Sequence, residues 1–276
     1  MIIKQSKIFL DFSKRDPTKD PFFYICFMFT YIIPFKYTDD RLLTLSKVLD
    51  NIRKINCEII IVEQGIESVL PSKNILSQDE KYIFILNNYP FNKSWGLNCA
   101  WKEASNDIIV FGDADNLIDT TNITNSIEEM SEYDFISPHI KLIDLTESEN
   151  SLSSEDIFRI KRAGRGELDH QKLPMCGAMT IFKKESLEKI GGWPEEFFGW
   201  GAEDDAMSIK VKHFLKWKEN DNNCYHLFHQ RVVPDMQWYG RNIQIYTNYL
   251  NAPKDKLEEY INNTKNLIGD KNRKFS

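Results

Sequence analysis

Three consecutive acids follow a tryptophan framed by glycines in the segment Gly199–Asp205. Adjacent carboxylates repel one another, so solubility alone gives little reason to place them beside an indole ring. The indole can stack on the apolar face of a pyranose, and a carboxylate can bind hydroxyls or take a proton from one of them. Acids in a first turn are also favoured by the helix dipole, which makes the segment a helix start as well. We interpret Glu203, Asp204 and Asp205 as a group that binds sugar hydroxyls and accepts a proton.

A second acidic motif follows an apolar run further upstream. Residues 108–111 are typical of a buried strand, Gly112 ends the run, and Asp113 and Asp115 follow one residue apart. Ligands of open α/β sheets bind at the carboxyl ends of the strands. Two carboxylates there suit Mg2+ or Mn2+ carrying a diphosphate. Asp-x-Asp alone is a weak signal because acids at strand ends are common in turns, but the two motifs together predict a site for a metal and a sugar.

The elements that must position these acids alternate in type along the first half of the chain. A first core strand is predicted within 22–34, ending at 33–36, with further strands at 58–63, 82–86 and 108–111 and helices at 39–55 and 92–104. Such alternation predicts an α/β fold, with a mainly parallel, mixed sheet flanked by helices on both faces.

The second half of the chain has a less regular pattern. Strands are predicted at 135–143 and 175–182, a loop at 146–155, and helices at 185–192, 203–215 and from 239 onward, with Pro253 interrupting the last. The basic, glycine-broken segment 161–166 is either a solvated loop or a mobile loop over a phosphate or sugar. We expect a single domain at 21–238, with a nucleotide half at 21–135 and an acceptor half at 136–238. An N-terminal arm at 1–20 and a helical extension at 239–276 flank it.

Composition limits the class of protein. The 276 residues are 42% hydrophobic with a net charge of −6, which indicates a soluble globular protein and argues against nucleic acid as the partner. The five scattered cysteines, none in a C-x-x-C pair, are interpreted as mostly buried free thiols of a reducing compartment. The aromatic stretch 21–35 is shorter than the roughly 20 apolar residues of a membrane span. A cytoplasmic protein is expected, with a weak peripheral membrane contact as an open alternative.

Several motifs, in this order, resemble those of inverting glycosyltransferases with the GT-A (Rossmann-like) fold. The resemblance is to the galactosyltransferase C-terminal group, which includes β-1,4-galactosyltransferases and bacterial chondroitin-polymerase type enzymes, and it covers about residues 30–230. Ile32–Lys36 resembles the uridine motif, Phe91–Lys93 the base and ribose motif, Asp113–Asp115 the metal motif, Gly177–Lys184 the donor-sugar strand, and Gly191–Pro194 with Phe198–Asp205 the acceptor motif. Lys36 and Lys93 stand where the family often has Arg, and Ala202 where it usually has Gly.

The resemblance implies roles for individual residues. Asp204 is the implied general base. Metal ligands are implied at Asp113, Asp115 and a downstream histidine, with His229 preferred and His226 as the alternative. The implied donor-binding residues are Pro34, Phe35, Lys36, Glu63, Phe91, Lys93, Asp113 and Gly177, and the acceptor-binding residues are Trp200, Gly201, Glu203 and Asp205.

The activity that these roles imply is metal-dependent transfer from a UDP-sugar to a hydroxyl of a glycan or glycolipid acceptor, with inversion. The ion is Mn2+ or Mg2+, and the sugar is a hexose or N-acetylhexosamine, with galactose and N-acetylgalactosamine preferred. We expect no second transferase domain of the kind found in polymerising relatives, and therefore transfer of a single sugar.

Other classes fit the residues less well. A phosphatase that uses Asp-x-Asp has Thr or Val two places after the second Asp, where this chain has Leu117. A sugar-nucleotide pyrophosphorylase needs a glycine-rich basic loop after the first strand, and Tyr37–Arg41 is not one. A carbohydrate-binding module without catalysis remains as the non-enzymatic alternative, and failure to bind a metal would favour it.

Overall fold

The computed structural model describes residues 29–165, 173–230 and 233–273, in which strands and helices alternate. The strands are β1 Thr30–Phe35, β2 Glu58–Gly65, β3 Lys81–Leu86, β4 Ile108–Gly112, β5 Asn116–Leu117, β6 Phe135–Ser137, β7 Lys141–Asp144, β8 Met179–Lys183, β9 Trp217–Glu219 and β10 Asn223–His226. The helices are α1 Asp39–Ile52, α2 Lys93–Lys102, α3 Thr120–Glu128, α4 Ser154–Ile157, α5 Lys184–Lys189, α6 Glu203–Phe214, α7 Met236–Asn251 and α8 Lys254–Thr264. The predicted arm at 1–20 lies outside the described residues.

A seven-stranded sheet with the order β3-β2-β1-β4-β8-β6-β9 forms the centre of the fold. The strand pairs β3–β2, β2–β1, β1–β4 and β6–β9 are parallel, and only β8 runs antiparallel to its neighbours β4 and β6. This arrangement confirms the predicted mixed, mainly parallel sheet. The chain order reverses between β1 and β4, and ligands of open α/β sheets bind outside the carboxyl ends of the strands at such a point.

Apolar side chains cover both faces of the sheet. Side chains alternate between faces along a strand, so Ile33 of β1 packs with Leu45 of α1, whereas Ile32 packs with Trp95 and Trp101 of α2 on the opposite face. All five side chains are buried. Helices therefore flank the sheet on both sides, as predicted, and the sheet edge between them is left for the polar side chains at the strand ends.

The predicted strand at 135–143 is wrong as a single element. The structure divides it into β6 of the large sheet and β7 of a separate three-stranded sheet with the order β5-β10-β7. Pro138 lies between them and has no N–H to donate to a ladder, which favours an end of the strand at this point. The predicted strand at 175–182 begins only at Met179 in the structure, because Ala178 has a φ of 62°, outside the extended region.

Three further expectations can be compared with the fold. The predicted loop at 146–155 contains a 3-10 turn at Glu147–Ser151 and the start of α4. Cys57, Cys99, Cys176 and Cys224 are free and buried, as expected, while Cys26 lies outside the described residues. Among the residues that the structure describes, no helix is both long and apolar enough to cross a membrane.

Candidate active site

Lys93 lies in the first turn of α2, directly behind the cap residue Asn92. The Asn92 side chain accepts a hydrogen bond from the Trp95 amide at 2.9 Å and donates one to the Glu195 carbonyl at 2.8 Å. The backbone amide of Asn92 donates a hydrogen bond to Gln64 Oε1 of β2 at 3.1 Å. The start of α2 is thereby fastened both to the sheet and to the segment that precedes the downstream acidic motif.

The Lys93 ammonium joins the two acidic motifs. Its Nζ lies 3.0 Å from Asp113 Oδ1 and 3.1 Å from Asp204 Oδ1. The backbone on this side is held by the residue before β8, because the Asp113 amide donates to the Ala178 carbonyl at 2.9 Å. Gly177 leaves room for the base candidate, because a Cβ there would stand 3.2 Å from Asp204 Oδ2. One cation thus brings together carboxylates that lie far apart in the sequence.

Burial raises the pKa values of the carboxyl groups around Lys93. Burial raises the pKa of Asp204 well above its usual range, although Lys93 opposes the rise, and it raises the pKa of Glu203 and Asp113 against the same opposition. Burial is the largest single influence on Lys93 and opposes its charge, but the attractions of Asp113, Asp204 and Glu203 together outweigh it and raise the pKa of Lys93. A carboxylate with a raised pKa is a better proton acceptor than an exposed one, so Asp204 has the property that a general base needs.

Asp115, His226 and His229 form a group that could hold a metal ion. Asp115 Oδ2 lies 3.2 Å from His229 Nε2 and 4.0 Å from His226 Nε2, and one ligand atom from each of the three lies within 4.8 Å of the others. Neighbouring ligands of an octahedral ion with bonds of roughly 2.1 Å lie about 3 Å apart, so small movements would seat one. The amide of Leu227 donates to the Asp115 carbonyl at 2.7 Å and fixes the two segments together.

The charge states in this group suit a divalent ion. Burial opposes ionisation of Asp115, but the hydrogen bond from His229 and the charges of His226 and Arg41 outweigh it and lower the pKa of Asp115. The contact with Asp115 raises the pKa of His229, whereas burial lowers the pKa of His226. Metal ligands must be deprotonated. An anionic Asp115 and a neutral His226 meet that condition, whereas binding of an ion would have to displace the proton that Asp115 favours on His229. Three protein ligands would leave positions for phosphate oxygens.

The acidic motif itself starts α6 through a strained turn. Gly199, Gly201 and Ala202 have φ values of 73°, 105° and 72°. The Tyr239 ring of α7 packs against this turn so closely that a Cβ on Gly201 would stand 3.1 Å from it. Trp200 is 67% exposed and stacks on Tyr239 with ring centroids 5.6 Å apart. One face of the indole is therefore supported by α7 while much of the ring stays open to solvent.

Replacing Ala202 with Gly is expected to raise the free energy of unfolding by about 0.5–1 kcal/mol. The left-handed conformation costs Ala about 1–2 kcal/mol, and the extra chain entropy of Gly cancels part of the gain. Urea denaturation followed by circular dichroism measures the change. Ala206→Gly in the body of α6 is the matched control and should lower the free energy of unfolding by about 1 kcal/mol. A loss of stability in Ala202→Gly would contradict the strain argument.

The other predicted donor-binding residues lie around the ends of β1 and β2. Pro34 and Phe35 are buried at the end of β1, and Lys36, the next residue, is exposed. Glu63 holds the loop after β2 in place, because its carboxylate accepts hydrogen bonds from the amides of Val69 and Leu70 at 3.2 and 3.1 Å. The predicted roles of these four residues stay predictions.

Two further predicted residues lie closer to the acidic motif. The carbonyl of Phe91 accepts from the Gly199 amide at 2.8 Å, so the residue before the α2 cap contacts the start of the acidic turn. Asp205 lies in the first turn of α6, and burial raises its pKa.

The structure adds residues that the sequence patterns did not indicate. Arg41 Nη1 of α1 lies 3.8 Å from Asp115 Oδ2, and Asp144 Oδ1 of β7 lies 3.1 Å from His226 Nδ1. Tyr239 comes from a helix that was predicted only as a C-terminal extension. Each reaches the site through the pairing of distant elements, and no local spacing signals that pairing. The one sequence signal for this part of the site was the pair of histidines, in which His226 was predicted as the alternative metal ligand.

Two family models match the chain. The one described as glycosyl transferase family 2 covers residues 31–191, more than half of the chain, and the one described as the N-terminal domain of galactosyltransferase covers residues 169–229. The second match contains the acidic motif and both histidines. A β-1,4-galactosyltransferase 5 of Danio rerio is 24% identical over 129 residues, which are 45% of this chain and only 27% of that protein.

Solved structures share the fold at low sequence identity. Staphylococcus aureus TarS 1-349 in complex with UDP-GlcNAc has a TM-score of 0.57 at 16% identity, covering 86% of this chain and 72% of that one. GalNAc-T7 with UDP, GalNAc and Mn2+ has a TM-score of 0.55 at 13% identity, with coverage of 86% and 54%. The mannosyltransferase PcManGT of Pyrobaculum calidifontis has a TM-score of 0.53 at 19% identity, with coverage of 87% and 70%.

These likenesses show the fold, and the family match shows the class of enzyme. The mainly parallel sheet flanked by helices is the GT-A arrangement, and Asp113 and Asp115 follow the carboxyl end of β4, where open α/β sheets bind ligands. The chain therefore belongs to glycosyl transferase family 2 and has the GT-A fold, and its residues 169–229 are similar to a galactosyltransferase domain.

Proposed function

We propose that the chain is a metal-dependent inverting glycosyltransferase that moves a hexose or N-acetylhexosamine from a UDP-sugar to a hydroxyl of a glycan or glycolipid. The observation that carries the proposal is the double contact of Lys93. It joins the Asp113 side of the site, next to the metal-ligand group, to Asp204 of the acidic motif. The donor phosphates and the attacking hydroxyl would thus meet in one cluster, as in-line displacement at a sugar carbon requires.

The donor half of the reaction falls to Asp115, His226 and His229, which would hold Mn2+ or Mg2+. Asp113, which the resemblance implies as a further ligand, contacts Lys93 instead. Two imidazoles beside a carboxylate favour Mn2+ over Mg2+, because imidazole is a ligand of transition metals whereas Mg2+ prefers oxygen ligands. These three residues would hold the ion beside the diphosphate, where it would supply positive charge against the negative charge that develops on the departing UDP. Two side chains add positive charge to this region: Lys93 lies beside Asp113, and Arg41 lies beside Asp115.

The acceptor half falls to the start of α6. Asp204 would take the proton from the attacking hydroxyl, and attack from the face opposite UDP would invert the anomeric centre without a covalent sugar–enzyme intermediate. Glu203 and Asp205 would hold further hydroxyls of the acceptor. Trp200 would stack on an acceptor ring with its open face, and the support from Tyr239 would keep that platform in place.

The sugar and the nucleotide are proposed from relatives and residues together. The Danio rerio relative is named as a galactosyltransferase, and the complexes of TarS and GalNAc-T7 contain UDP-GlcNAc, or UDP with GalNAc. PcManGT is in complex with GDP-Man, so the fold also accommodates a guanine nucleotide. Lys36, Phe91 and Gly177 are the proposed contacts to the nucleotide and donor sugar, and we favour UDP-galactose or UDP-N-acetylgalactosamine.

A panel of sugar nucleotides tests the proposal. The full chain is incubated with UDP-Gal, UDP-GalNAc, UDP-Glc, UDP-GlcNAc and GDP-Man, each with Mn2+ or with EDTA, and the released nucleotide is measured. We expect release of UDP from one or two UDP-sugars, dependent on Mn2+ and abolished by EDTA. Release that persists in EDTA would overturn the metal dependence. Absence of both turnover and calorimetric binding of UDP with Mn2+ would overturn the proposed donor site.

A further inference from the structure

The basic segment Lys161–Arg165 contacts the small sheet next to the metal-ligand group. Arg165 forms a two-bond bridge with Leu142 of β7, in which its amide and carbonyl lie 2.9 and 2.8 Å from their partners. Its guanidinium continues along β7 to Asp144, with Nε 2.9 Å from Oδ2 and Nη2 3.1 Å from Oδ1. A planar fork that binds both carboxylate oxygens fixes the orientation of that carboxylate.

Asp144 in turn contacts His226. The strands β7 and β10 are parallel with Asp144 opposite His226, and Asp144 Oδ1 lies 3.1 Å from His226 Nδ1. A carboxylate at Nδ1 keeps the proton of a neutral imidazole on that nitrogen, which leaves the lone pair on Nε2. It is Nε2 that faces Asp115, 4.0 Å away. The row from Arg165 through Asp144 to His226 therefore ends at the ligand atom.

This row is aligned by backbone pairing on both sides. His226 also pairs with Asn116 of β5, the residue that follows Asp115. The three-stranded sheet thus holds Asn116, His226 and Asp144 side by side, so His226 and its supporting carboxylate lie in one sheet, directly next to Asp115. The exposed fractions of the Arg165 and Asp144 side chains, 55% and 40%, mean that their ion pair contributes little to folding stability.

We propose that Asp144 is a positioning residue for His226 and that Arg165, by fixing Asp144, lets the segment 161–165 set the divalent-metal affinity of the donor site. The inference rests on the proposed metal-dependent function. Removing the carboxylate frees the ring to rotate and to move its proton to Nε2, which blocks the ligand atom. Loss of a carboxylate behind a ligating histidine typically costs about 10–100-fold in metal affinity.

The test is calorimetric titration of Mn2+ into the full chain in the presence of UDP, for the wild type, Asp144→Ala, Asp144→Asn and Arg165→Gln. We expect the Kd to rise about 10–100-fold in Asp144→Ala, less in Asp144→Asn, whose amide oxygen still accepts from Nδ1, and several-fold in Arg165→Gln. Arg162→Gln is the matched control, because Arg162 belongs to the same segment but pairs with Glu149, at 2.6 Å. It should leave the Kd unchanged.

A second set of variants separates positioning from a general loss of structure. In a His226→Ala background, Asp144→Ala is expected to add no further loss of Mn2+ affinity, because Asp144 acts only through that ring. Thermal unfolding in EDTA should be the same for Asp144→Ala and the wild type. Wild-type affinity in Asp144→Ala, or equal losses with and without His226, would overturn the inference alone. Failure of the wild type to bind Mn2+ would overturn the proposed metal dependence with it.

Discussion

Asp204→Asn is expected to abolish sugar transfer while leaving the affinity for UDP nearly unchanged. The amide is almost isosteric but cannot accept the proton of the attacking hydroxyl, and loss of a general base costs about 10²–10⁴-fold in rate. UDP binding should survive because Lys93 keeps its contact with Asp113, at 3.0 Å, when the charge of Asp204 is removed. The measurements are kcat for transfer, with the donor identified by the nucleotide panel, and the Kd of UDP with Mn2+ by calorimetry.

Asp205→Asn is the comparison variant, because it removes a carboxylate from the same turn of α6 without removing the proposed base. We expect it to raise the KM for the acceptor and to leave kcat within about tenfold of the wild type, as loss of a ground-state contact does. If Asp204→Asn turned over at a rate near the wild type while Asp205→Asn did not, the base would be Asp205. Parallel losses of UDP affinity and kcat in Asp204→Asn would assign Asp204 to donor binding instead.

The central sheet was predictable because its strands carry strong local signals. Ile59–Val62 and Ile108–Phe111 are apolar runs ended by polar residues, and every one of their residues except Ile108 is buried. The acids after β4 follow the end of such a run, so their place at the sheet edge needed no knowledge of distant contacts. Asn92 likewise marks the start of α2 by its capping side chain, which places Lys93 in the first turn.

The contacts that support the metal-ligand group could not be predicted, because the strands that form them carry weak local signals. The strands β7 and β10 have four residues each, too few for a clear alternation, and they pair across a long stretch of chain. The contact between Asp144 and His226 depends on that register alone. Tyr239 shows the same limit, since a helix was expected near it, but the stacking of its ring on Trp200 depends on how α7 docks. Asn242 fixes that docking through the Phe198 carbonyl, at 2.9 Å.

Asp115→Ala is expected to remove Mn2+ binding and to lower the rate of transfer roughly a thousandfold. The ion is proposed to supply several kcal/mol of stabilisation to the departing diphosphate, and each 1.36 kcal/mol corresponds to about a factor of ten in rate. Asp115 is the anionic member of the group, and its lowered pKa keeps it charged at neutral pH. Without it, His226 and His229 are two neutral ligands that hold a divalent ion weakly. Calorimetry with Mn2+ and UDP, and transfer with excess Mn2+, measure the two effects.

Asp113→Ala is the matched control, because Asp113 belongs to the same motif but contacts Lys93 rather than the two histidines. We expect it to weaken Mn2+ binding far less than Asp115→Ala, since it lies outside the three residues whose ligand atoms lie within 4.8 Å of one another. Its effect should fall on the donor, because Lys93 loses the carboxylate that holds it beside the diphosphate. Equal loss of Mn2+ affinity in both variants would mean that both aspartates bind the ion directly. A larger loss in Asp113→Ala would move the ion from the histidines to the Lys93 side, where Asp113 and Asp204 would face it.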